Sequence, residues 1–474
     1  MPVSAQFASA LRILTKLRET GYEAYLAGGC VRDLLLGREP ADYDVATSAT
    51  PDVVLEMFPR TFAVGAHFGV VLVATCGGAD AACAAGEQTA TEEFLMTEVA
   101  TFRSDGAYSD GRHPDEVRYT LNAAEDVQRR DFTINGLLLD PLRAGGPLDE
   151  TFCDPSTLRA ATIDHIGGLA DLDAGILRAI GQPVRRFEED QLRLLRAVRF
   201  AARFGFEIEP ATFAAIRALA PRIHAVSRER VRDELTKMLT EGHARRAFEL
   251  LNEAGLLAEV LPEVARMRGV AQPPQFHPEG DVWVHTLLLL DQLQRGSPLT
   301  LSWGALLHDV GKPPTFRVAP DRIRFDGHVA VGVAMGADIC RRFRFSNEET
   351  RMILALIENH MRFADAPRMK DSTLKRFFRL ENFDQHLALH RMDCLAAHAN
   401  LDIYDFVRER YESTPEEVVR PKPLVTGSEL IAAGYMPGPQ FQQMLNVVED
   451  AQLDGAIKTT EEAMALVRER FPQT

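Results

Sequence analysis

The chain has 474 residues, of which 26% are charged, with six cysteines and a formal net charge of −15; this length exceeds one hydrophobic core and predicts three or four domains. No run of about 18 apolar residues occurs and the N-terminus lacks the apolar core of a signal peptide, so neither a membrane span nor secretion is expected. The cysteines are scattered without a Cys-x-x-Cys pair, which favours reduced thiols, argues against a zinc knuckle and makes the cytoplasm the expected location.

The first motif is a glycine turn between a short strand and a helix. Residues 25–27 form an apolar strand, Gly28 and Gly29 make the turn, and a helix is predicted over 31–36. Glycines let the backbone approach a phosphate, and the helix N-terminus offers free N–H groups. Arg32, in the first helical turn, adds a charge-assisted contact to the same phosphate. The alternative interpretation is an ordinary turn, which a lone Gly-Gly pair usually is.

A pair of carboxylates follows the glycine turn at short spacing. Residues 41–45 alternate between polar and apolar, which predicts a strand with Asp42 and Asp44 on one face, ~6.5 Å apart. Such a pair suits two Mg²⁺ ions ~3.5–4 Å apart, the arrangement of phosphoryl-transfer sites. Glu98, on a predicted strand over 94–102, is a candidate third carboxylate, or simply a polar residue on an open face. The Asp-x-Asp pair alone would equally fit a solvated strand edge, but the order and spacing of both motifs favour a nucleotidyltransferase.

The rest of the N-terminal region contains further strands and loops. Residues 61–75 are rich in β-branched side chains and predict strand, and the Gly- and Ala-rich residues 76–91 predict a flexible hairpin excursion. The polar, Gly-punctuated residues 103–113 predict a mobile loop. The run Arg129-Arg130-Asp131 is predicted to open a helix, where an arginine can clamp the triphosphate of a nucleotide. A solvated helix start is the competing interpretation.

A helical region follows, and its most informative part surrounds residue 190. Helices are predicted over 191–204 and 228–240, and Asp190 and Arg193 lie three residues apart, as neighbours on a helix surface. An acceptor beside a donor matches the pairing edges of cytosine and adenine but not those of guanine and uracil. Such a pair can select C and A without a nucleic-acid template, each contact being worth ~1–3 kcal/mol of discrimination. A purely structural Asp–Arg bridge is the alternative.

The same region has a basic character within an acidic protein. Residues 185–246 contain 14 lysines and arginines against nine acidic residues, which fits contact with nucleic acid or an ordinary charged helical surface. Arg196 and Arg199 follow Arg193 around the helix and can reach phosphates or stack on the base.

Together these motifs resemble the class II tRNA nucleotidyltransferase and bacterial poly(A) polymerase family, from the glycine turn through the neck helix and into tail segments 424–427 and 452–455. The resemblance implies metal binding and catalysis by Asp42 and Asp44, with Glu98 as the candidate third acid. It also implies a set of nucleotide-binding residues: Gly29, Arg32, Arg130, Asp190, Arg193, Arg196 and Arg199. In this family the head carries catalysis, the neck selects the nucleotide, and the body and tail hold the tRNA elbow.

The segment after residue 270 has a second signature. His285 lies in a helical stretch, His308-Asp309 ends another over 301–309, and Asp393 lies on a later helix. This order resembles the HD phosphohydrolase superfamily, and it implies a divalent transition-metal site on four residues: His285, His308, Asp309 and Asp393. His328 and His360 fall between them and can support a second ion. The alternatives are core histidines beside caps, or a scaffold that has kept the residues without the activity.

The predicted fold is an α+β, polymerase-β-like nucleotidyltransferase head followed by an all-α neck, HD domain and tail. The predicted boundaries are, in order: 1–160, 161–270, 271–420 and 421–474. The predicted function is template-independent addition of CCA to tRNA 3′ ends, with CTP and ATP as donors and Mg²⁺ on the paired aspartates. The alternatives are a poly(A) polymerase, an A-only or CC-only enzyme, a metal-dependent HD phosphohydrolase and a non-catalytic RNA-binding protein. The oligomeric state is left open.

Overall fold

The computed structural model describes residues 4–63, 69–76, 94–106, 117–144, 154–275 and 277–473. The chain divides into two compact units, here called the head–neck unit (residues 1–234 with 250–260) and the HD–tail unit (residues 235–249 with 261–474). No helix in these described stretches is both long and apolar enough to cross a membrane.

The head–neck unit contains a seven-stranded mixed sheet of order β3-β4-β5-β2-β1-β8-β9. The strands are β1 Ala24–Ala27, β2 Asp44–Thr47, β3 Thr61–Phe62, β4 Val70–Cys76, β5 Phe94–Thr101, β8 Leu138–Leu139 and β9 Thr162–Ile163, with β6 Arg103–Asp105 and β7 Val117–Tyr119 forming a separate antiparallel pair. Strands β2 and β5 run parallel, whereas β1 pairs antiparallel with both β2 and β8. Helix α1 (Ala5–Glu19) contacts β1 and buries an apolar stripe at helical spacing: Phe7, Ala10, Ile13, Leu14 and Leu17.

The helices of this unit are α2 Gly29–Leu35, α3 Pro51–Met57, α4 Ala123–Gln128, α5 Pro155–Ala161, α6 Gly168–Ala174, α7 Pro183–Glu189, α8 Leu192–Phe204, α9 Pro210–Leu219 and α12 Leu256–Val260, with α10 Arg228–Thr240 and α11 Ala244–Glu253 running across its boundary. Helix α8 is almost wholly buried and ends at Gly205, whose positive φ of 72° provides the left-handed C-cap that glycine favours. Two short parallel strands, β10 Ile176–Leu177 and β11 Glu207–Ile208, lie among these helices.

The HD–tail unit is mainly helical, and its described residues include one hairpin, β12 Arg317–Val318 and β13 Ile323–Arg324. Its further helices are α13 Pro262–Ala265, α14 Val282–Leu290, α15 Leu299–Leu307, α16 Lys312–Thr315, α17 His328–Arg342, α18 Asn347–Asn359, α19 Asp371–Phe378, α20 Phe383–Ala396, α21 Asp402–Ser413, α22 Glu416–Val419, α23 Gly427–Ala432, α24 Pro439–Leu453 and α25 Thr460–Arg470. Trp303 is fully buried, and its indole N–H donates to the Thr236 hydroxyl at 2.9 Å. The last three helices enclose a core of their own around Leu430, Met444 and Val467.

The predicted fold class is confirmed, and several element boundaries need correction. The segment 103–113 is predicted to be a loop, but residues 103–105 form β6, because their backbone pairs with β7, 12 to 16 residues later in the chain. Within 61–75, the two strands β3 and β4 replace the one predicted strand. The predicted hairpin excursion lies, after its first residue, outside the described residues, as does the segment 107–113. The four domain boundaries stay a prediction.

Candidate functional site

The glycine turn of the head–neck unit lies directly against an arginine. Gly28 has φ +78°, and its N–H donates to the Leu137 carbonyl at 3.2 Å. A Cβ at Gly28 would come within 2.9 Å of Nη1 of Arg130. Glycine is therefore required here for two reasons, the backbone conformation and the close approach of the guanidinium. Gly29 begins the short helix α2, so the two sequence motifs that contain Gly28 and Arg130 meet at one place.

Three carboxylates lie beside this turn. Asp44 begins β2 opposite Ala27 of β1, Asp42 is exposed just before the strand, and Glu98 is exposed on the neighbouring strand β5. Burial, then the charges of Asp42 and Glu98, raise the pKa of Asp44 to about 7, while Arg130 opposes the shift. Repulsion among these carboxylates favours a proton on Asp44, and a bound divalent cation would reduce the same repulsion.

The arginine pair is fixed by a carboxylate that sequence reasoning did not select. Asp126, on α4 and 1% exposed, accepts from Arg129 at 2.8 Å and from Arg130 at 3.2 Å. The pair was predicted to open a helix, but it follows the end of α4 and precedes a single 3₁₀ turn over Thr133–Asn135. Asp126 lies three residues before Arg129 and four before Arg130, the spacing of neighbours on a helix surface. This spacing is the sequence signal from which the pairing could have been predicted.

Arg32 is enclosed by protein groups. Its side chain is 4% exposed, pairs with Asp33 at 2.7 Å and donates to the Asn135 side chain at 2.5 Å. The guanidinium also lies 4.4 Å from the centroid of the Phe204 ring. Burial lowers the pKa of Arg32, and Asp33 opposes that shift. The predicted phosphate contact of Arg32 stays a prediction, and in this structure the residue joins α2 to the 3₁₀ turn and to α8.

Asp190 and Arg193 lie close in sequence but have different side-chain partners. Asp190 is in extended conformation between α7 and α8, not on a helix surface, and it accepts from Arg230 at 3.0 Å. Arg193 donates to Glu189 at 2.7 Å and to the Arg129 carbonyl at 3.1 Å. The predicted helix-surface geometry is therefore corrected, because the helix is interrupted at Asp190.

The next two arginines of α8 are held by acids from other elements. Arg196 donates to Asp131 at 2.7 and 2.9 Å, and Arg199, 5% exposed, donates to Glu234 at 2.7 Å. Burial alone would raise the pKa of Asp131, but Arg196 and the Asn135 amide lower it to about 2. The predicted contacts of Arg196 and Arg199 with nucleotide stay predictions. Their acidic partners are 65 and 35 residues away, so no local pattern pointed to them.

The HD–tail unit brings together all four predicted metal ligands. Nε2 of His285 lies 3.0 Å from Asp393 and 3.9 Å from Oδ2 of Asp309, and Nε2 of His308 lies 3.1 Å from that same Oδ2. The other oxygen, Oδ1, lies 4.0 Å from Nε2 of His328 and 3.8 Å from Nε2 of His360. The two oxygens of Asp309 thus face two groups of imidazoles, which together with the carboxylates could hold divalent ions.

Three imidazoles of the cluster are fixed through the ring nitrogen that faces away from Asp309. Nδ1 of His308, His328 and His360 is held by the backbone carbonyls of Ala305, Phe325 and Ile357, at 2.8, 2.9 and 2.7 Å. Nε2 is therefore the nitrogen with a free lone pair. In His328 and His360 this atom is buried and has no hydrogen-bond partner within the described part of the chain. The donor set of imidazoles and carboxylates suits a transition metal.

The pKa values within this cluster also fit a cation-binding site. Burial and the neighbouring His308 lower the pKa of His360 to about 4. Although burial opposes it, hydrogen bonds to Asp393 and Glu279 raise the pKa of His285 to about 9. Lys312 contributes a further cation 2.7 Å from Asp309. The proton on His285 and the ammonium group of Lys312 thus balance negative charge on the buried carboxylates, which a bound cation would otherwise balance.

A cavity of about 970 Å³ opens on this cluster. Its polar wall includes Lys312, Arg322, Arg324 and His277, alongside the metal-ligand candidates Asp309 and Asp393. The volume accommodates a nucleotide-sized ligand. The basic residues at its wall favour an anionic one.

Family models match three successive parts of the chain. Residues 24–178 match the model described as Poly A polymerase head domain. Residues 205–267 match the model described as Probable RNA and SrmB-binding site of polymerase A. Residues 281–397 match the model described as HD domain. The resemblances inferred from the glycine turn, the paired aspartates, the neck and the His-Asp pair are thereby confirmed.

Curated relatives and solved structures agree with these domains. The CCA-adding enzyme of Lactobacillus johnsonii is 37% identical over 288 residues, covering 60% of this chain and 64% of that protein. The CCA-adding enzyme of Streptococcus pyogenes is 39% identical over 251 residues, covering 53% and 54%. These matches span between about half and two thirds of the relatives' length.

The fold likeness covers nearly the whole chain. A crystal structure of the Bacillus stearothermophilus CCA-adding enzyme in complex with CTP superposes with a TM-score of 0.71 at 27% identity, covering 98% of this chain and 97% of that one. The Thermotoga maritima CCA-adding enzyme complexed with tRNA gives a TM-score of 0.57 at 17% identity, covering 98% and 95%, a likeness of fold.

Proposed function

We propose that this chain, in which a poly A polymerase head domain precedes an HD domain, adds CCA to the 3′ end of tRNA with CTP and ATP as donors. The observation that carries the proposal is the meeting of Asp42, Asp44 and Glu98 with Arg130 at the glycine turn. The likeness to CCA-adding enzymes along the chain supports it. The head (1–160) would catalyse, the neck (161–270) select the nucleotide, and the tail (421–474) help to hold tRNA.

Mg²⁺ is the proposed cofactor, held by Asp42 and Asp44 with Glu98 nearby. Bound there, it would stabilise charge on the attacking and leaving oxygens. The tRNA 3′-hydroxyl attacks the α-phosphate in line, its proton is lost and pyrophosphate leaves. We assign orientation of the triphosphate to Arg130, and two contacts support this: its guanidinium lies against Gly28, and Asp126 accepts from it at 3.2 Å.

Base selection is proposed for Asp190 and Arg193. The carboxylate would accept from the exocyclic amino group of cytosine or adenine, and the guanidinium would donate to the adjacent ring nitrogen. Arg230 and Glu189 hold the two side chains and so set their positions. The reaction is assigned to the cytoplasm, in keeping with the free thiols of Cys30, Cys340 and Cys394.

One incubation separates the alternatives for the head. The protein is given a tRNA lacking CCA with CTP alone, ATP alone, or both. CCA addition predicts C-C with CTP and full CCA with both. A poly(A) polymerase would instead extend with ATP repeatedly, an A-only or CC-only enzyme would stop early, and an RNA-binding protein would add nothing.

A second activity, metal-dependent phosphohydrolysis, is proposed for the HD domain. It rests on Asp309, whose two oxygens face His285 and His308 on one side and His328 and His360 on the other. A bound divalent ion would activate water for attack on a phosphate ester. The test is metal content after purification, followed by hydrolysis of a phosphomonoester or 2′,3′-cyclic phosphate. If the protein takes up no metal and hydrolyses neither ester, the cluster has only a packing role.

A further inference from the structure

The HD–tail unit contains a buried carboxylate that the sequence motifs did not include. The Glu279 side chain is 6% exposed, and its Oε1 lies 2.9 Å from Nδ1 of His277 and 2.8 Å from Nδ1 of His285. An ionised carboxylate only accepts hydrogen bonds. Both imidazoles therefore carry their proton on Nδ1 when they bind this oxygen.

This hydrogen bond decides how His285 can bind a metal. Nε2 is then the nitrogen left for a metal: in the metal-free protein it donates to Asp393 at 3.0 Å, with Asp309 at 3.9 Å, and loss of that proton exposes its lone pair. His285 is fully buried, so the surrounding protein shields its ring from solvent that could replace a lost partner. Rotation of the ring away from the cluster would break the Glu279 contact.

His285 differs in this respect from the other three imidazoles of the cluster. His308, His328 and His360 are held at Nδ1 by backbone carbonyls, which no substitution removes. His285 alone among these four is held there by a side chain, that of Glu279. The orientation of one ligand thus depends on one carboxylate.

We propose that Glu279 is a positioning residue for the HD metal site. It orients His285 toward the ion and His277 along the wall of the cavity, which His277 lines. The inference rests on the proposed metal-binding function of this domain. Partners of this kind fix the ring orientation of a ligating histidine, and losing one typically weakens metal binding about 10- to 100-fold.

A direct ligand role for Glu279 is a distinct arrangement. His277, Glu279 and His285 have ligand atoms within 4.8 Å of one another. An ion among them would require His285 to lose its Nδ1 proton and to bridge two ions through both ring nitrogens. The geometry at 2.8 and 2.9 Å instead fits a carboxylate oxygen that accepts two hydrogen bonds, one from each Nδ1–H.

The test measures Mn²⁺ affinity of the full chain by isothermal titration calorimetry after chelation of resident metal. Every protein tested, including the one called wild type because it keeps Glu279, carries Asp42→Asn and Asp44→Asn, which remove the proposed metal site of the head. Glu279→Leu and Glu279→Gln are matched in size and differ in whether an accepting oxygen remains. We expect Glu279→Leu to bind about 10- to 100-fold more weakly and Glu279→Gln to bind close to wild type. His277→Ala is the control, because it removes the other partner of Oε1 and should leave affinity unchanged.

A second readout does not depend on affinity. The visible spectrum of the Co²⁺-loaded protein reports ligand geometry, and it should change in Glu279→Leu but not in His277→Ala. Thermal unfolding of the metal-free proteins checks folding, and Glu279→Ala replaces Glu279→Leu if leucine disturbs it.

The outcomes are distinguishable. Equal Mn²⁺ affinity and spectra in Glu279→Leu and wild type would overturn the inference while leaving the metal site intact. Loss of one whole equivalent of bound ion, or equal weakening by leucine and glutamine, would overturn it in favour of a ligand or charge role. A wild-type chain that binds no Mn²⁺ would refute the proposed HD function itself.

Discussion

At the residue scale, the raised pKa of Asp44 bears on the proposed metal site of the head. Burial and two neighbouring acids raise its pKa to about 7, and Asp42 and Glu98 both remain exposed. A metal-free site of this kind binds a proton in place of the ion near neutral pH. Metal binding would therefore displace protons and weaken as the pH falls below 7.

Asp42→Asn and Asp44→Asn should each abolish nucleotide addition while tRNA binding persists. In the proposed mechanism these carboxylates hold the ions that stabilise the developing charge, so we expect a fall in rate of about a thousandfold, equivalent to ~4 kcal/mol. Single-turnover addition and a filter-binding assay measure the two properties. Asp52→Asn changes an exposed acid of α3 and is the matched control. Near-normal addition by both site variants would remove these acids from the mechanism.

A second residue with a perturbed pKa is His386, which is buried in the HD–tail unit. It is 1% exposed on α20, and neither ring nitrogen has a hydrogen-bond partner in the described ranges. Burial, then the nearby Arg362, lower its pKa to about 4. The unfolded chain therefore binds one more proton than the folded chain between about pH 6.5 and 4. Stability is lost as the pH falls through this window.

His386→Leu should reduce that loss. At pH 5 the wild-type histidine costs about 2 kcal/mol relative to pH 7, at ~1.36 kcal/mol per pH unit, and leucine removes the proton uptake. Urea unfolding of both proteins at the two pH values measures the difference. His165→Leu, at an exposed position, is the control and should leave the pH dependence unchanged. An unaltered pH dependence in His386→Leu would contradict the assignment.

At the element scale, the break between α7 and α8 determines the geometry of the selection residues. Because α7 ends at Glu189 and α8 begins at Leu192, Asp190 lies at the break and pairs with Arg230 of α10. Arg230 of α10 thus controls the orientation of Asp190.

Asp190→Ala and Arg193→Ala should relax selection, raising UTP and GTP use relative to CTP and ATP by about 5- to 150-fold, the equivalent of ~1–3 kcal/mol. The overall rate should fall too, because the base is no longer positioned. Arg230→Ala should give a weaker form of the same change, since Asp190 keeps its carboxylate but loses its support. Single-nucleotide incorporation with each NTP measures this. A lower rate with unchanged preference would make the residues structural.

At the scale of the whole molecule, the two candidate sites lie in different compact units. The carboxylates of the head belong to the head–neck unit, whereas the imidazole cluster belongs to the HD–tail unit. In the latter, Arg376 and Arg379 of α19 both pair with Glu449 of α24, which ties the tail helices to the HD helices. Each site can therefore be removed independently.

Asp309→Ala should eliminate phosphohydrolysis and leave nucleotide addition unchanged. Asp309 is buried and contacts Lys312, so the substitution also leaves a buried cation unpaired. Asp393→Asn, which keeps the shape of the side chain, is the companion variant. Parallel assays of ester hydrolysis and CCA addition, with thermal unfolding, measure the outcome. Retained hydrolysis in both variants would contradict the metal-site proposal.

The sequence alone determined what local periodicity and short-range chemistry can encode. Helix α10 was predicted at its observed bounds, and the glycine turn and paired aspartates were found because their residues lie within a few positions of one another. The order His, His-Asp, Asp similarly identified the HD residues. Each of these signals depends on backbone preferences or on neighbours along the chain.

Only the tertiary structure decided which partners these residues have. Arg196 meets Asp131 across 65 residues, and His285 meets Asp393 across more than a hundred. Such contacts carry no periodic signal, because the chain between them is set by packing of whole elements. Strand β6 was missed for the same reason, since a polar segment becomes a strand when another strand pairs with it. The proposed role of Glu279 could not be predicted from the sequence either, because it depends on the burial of His285 in the folded protein.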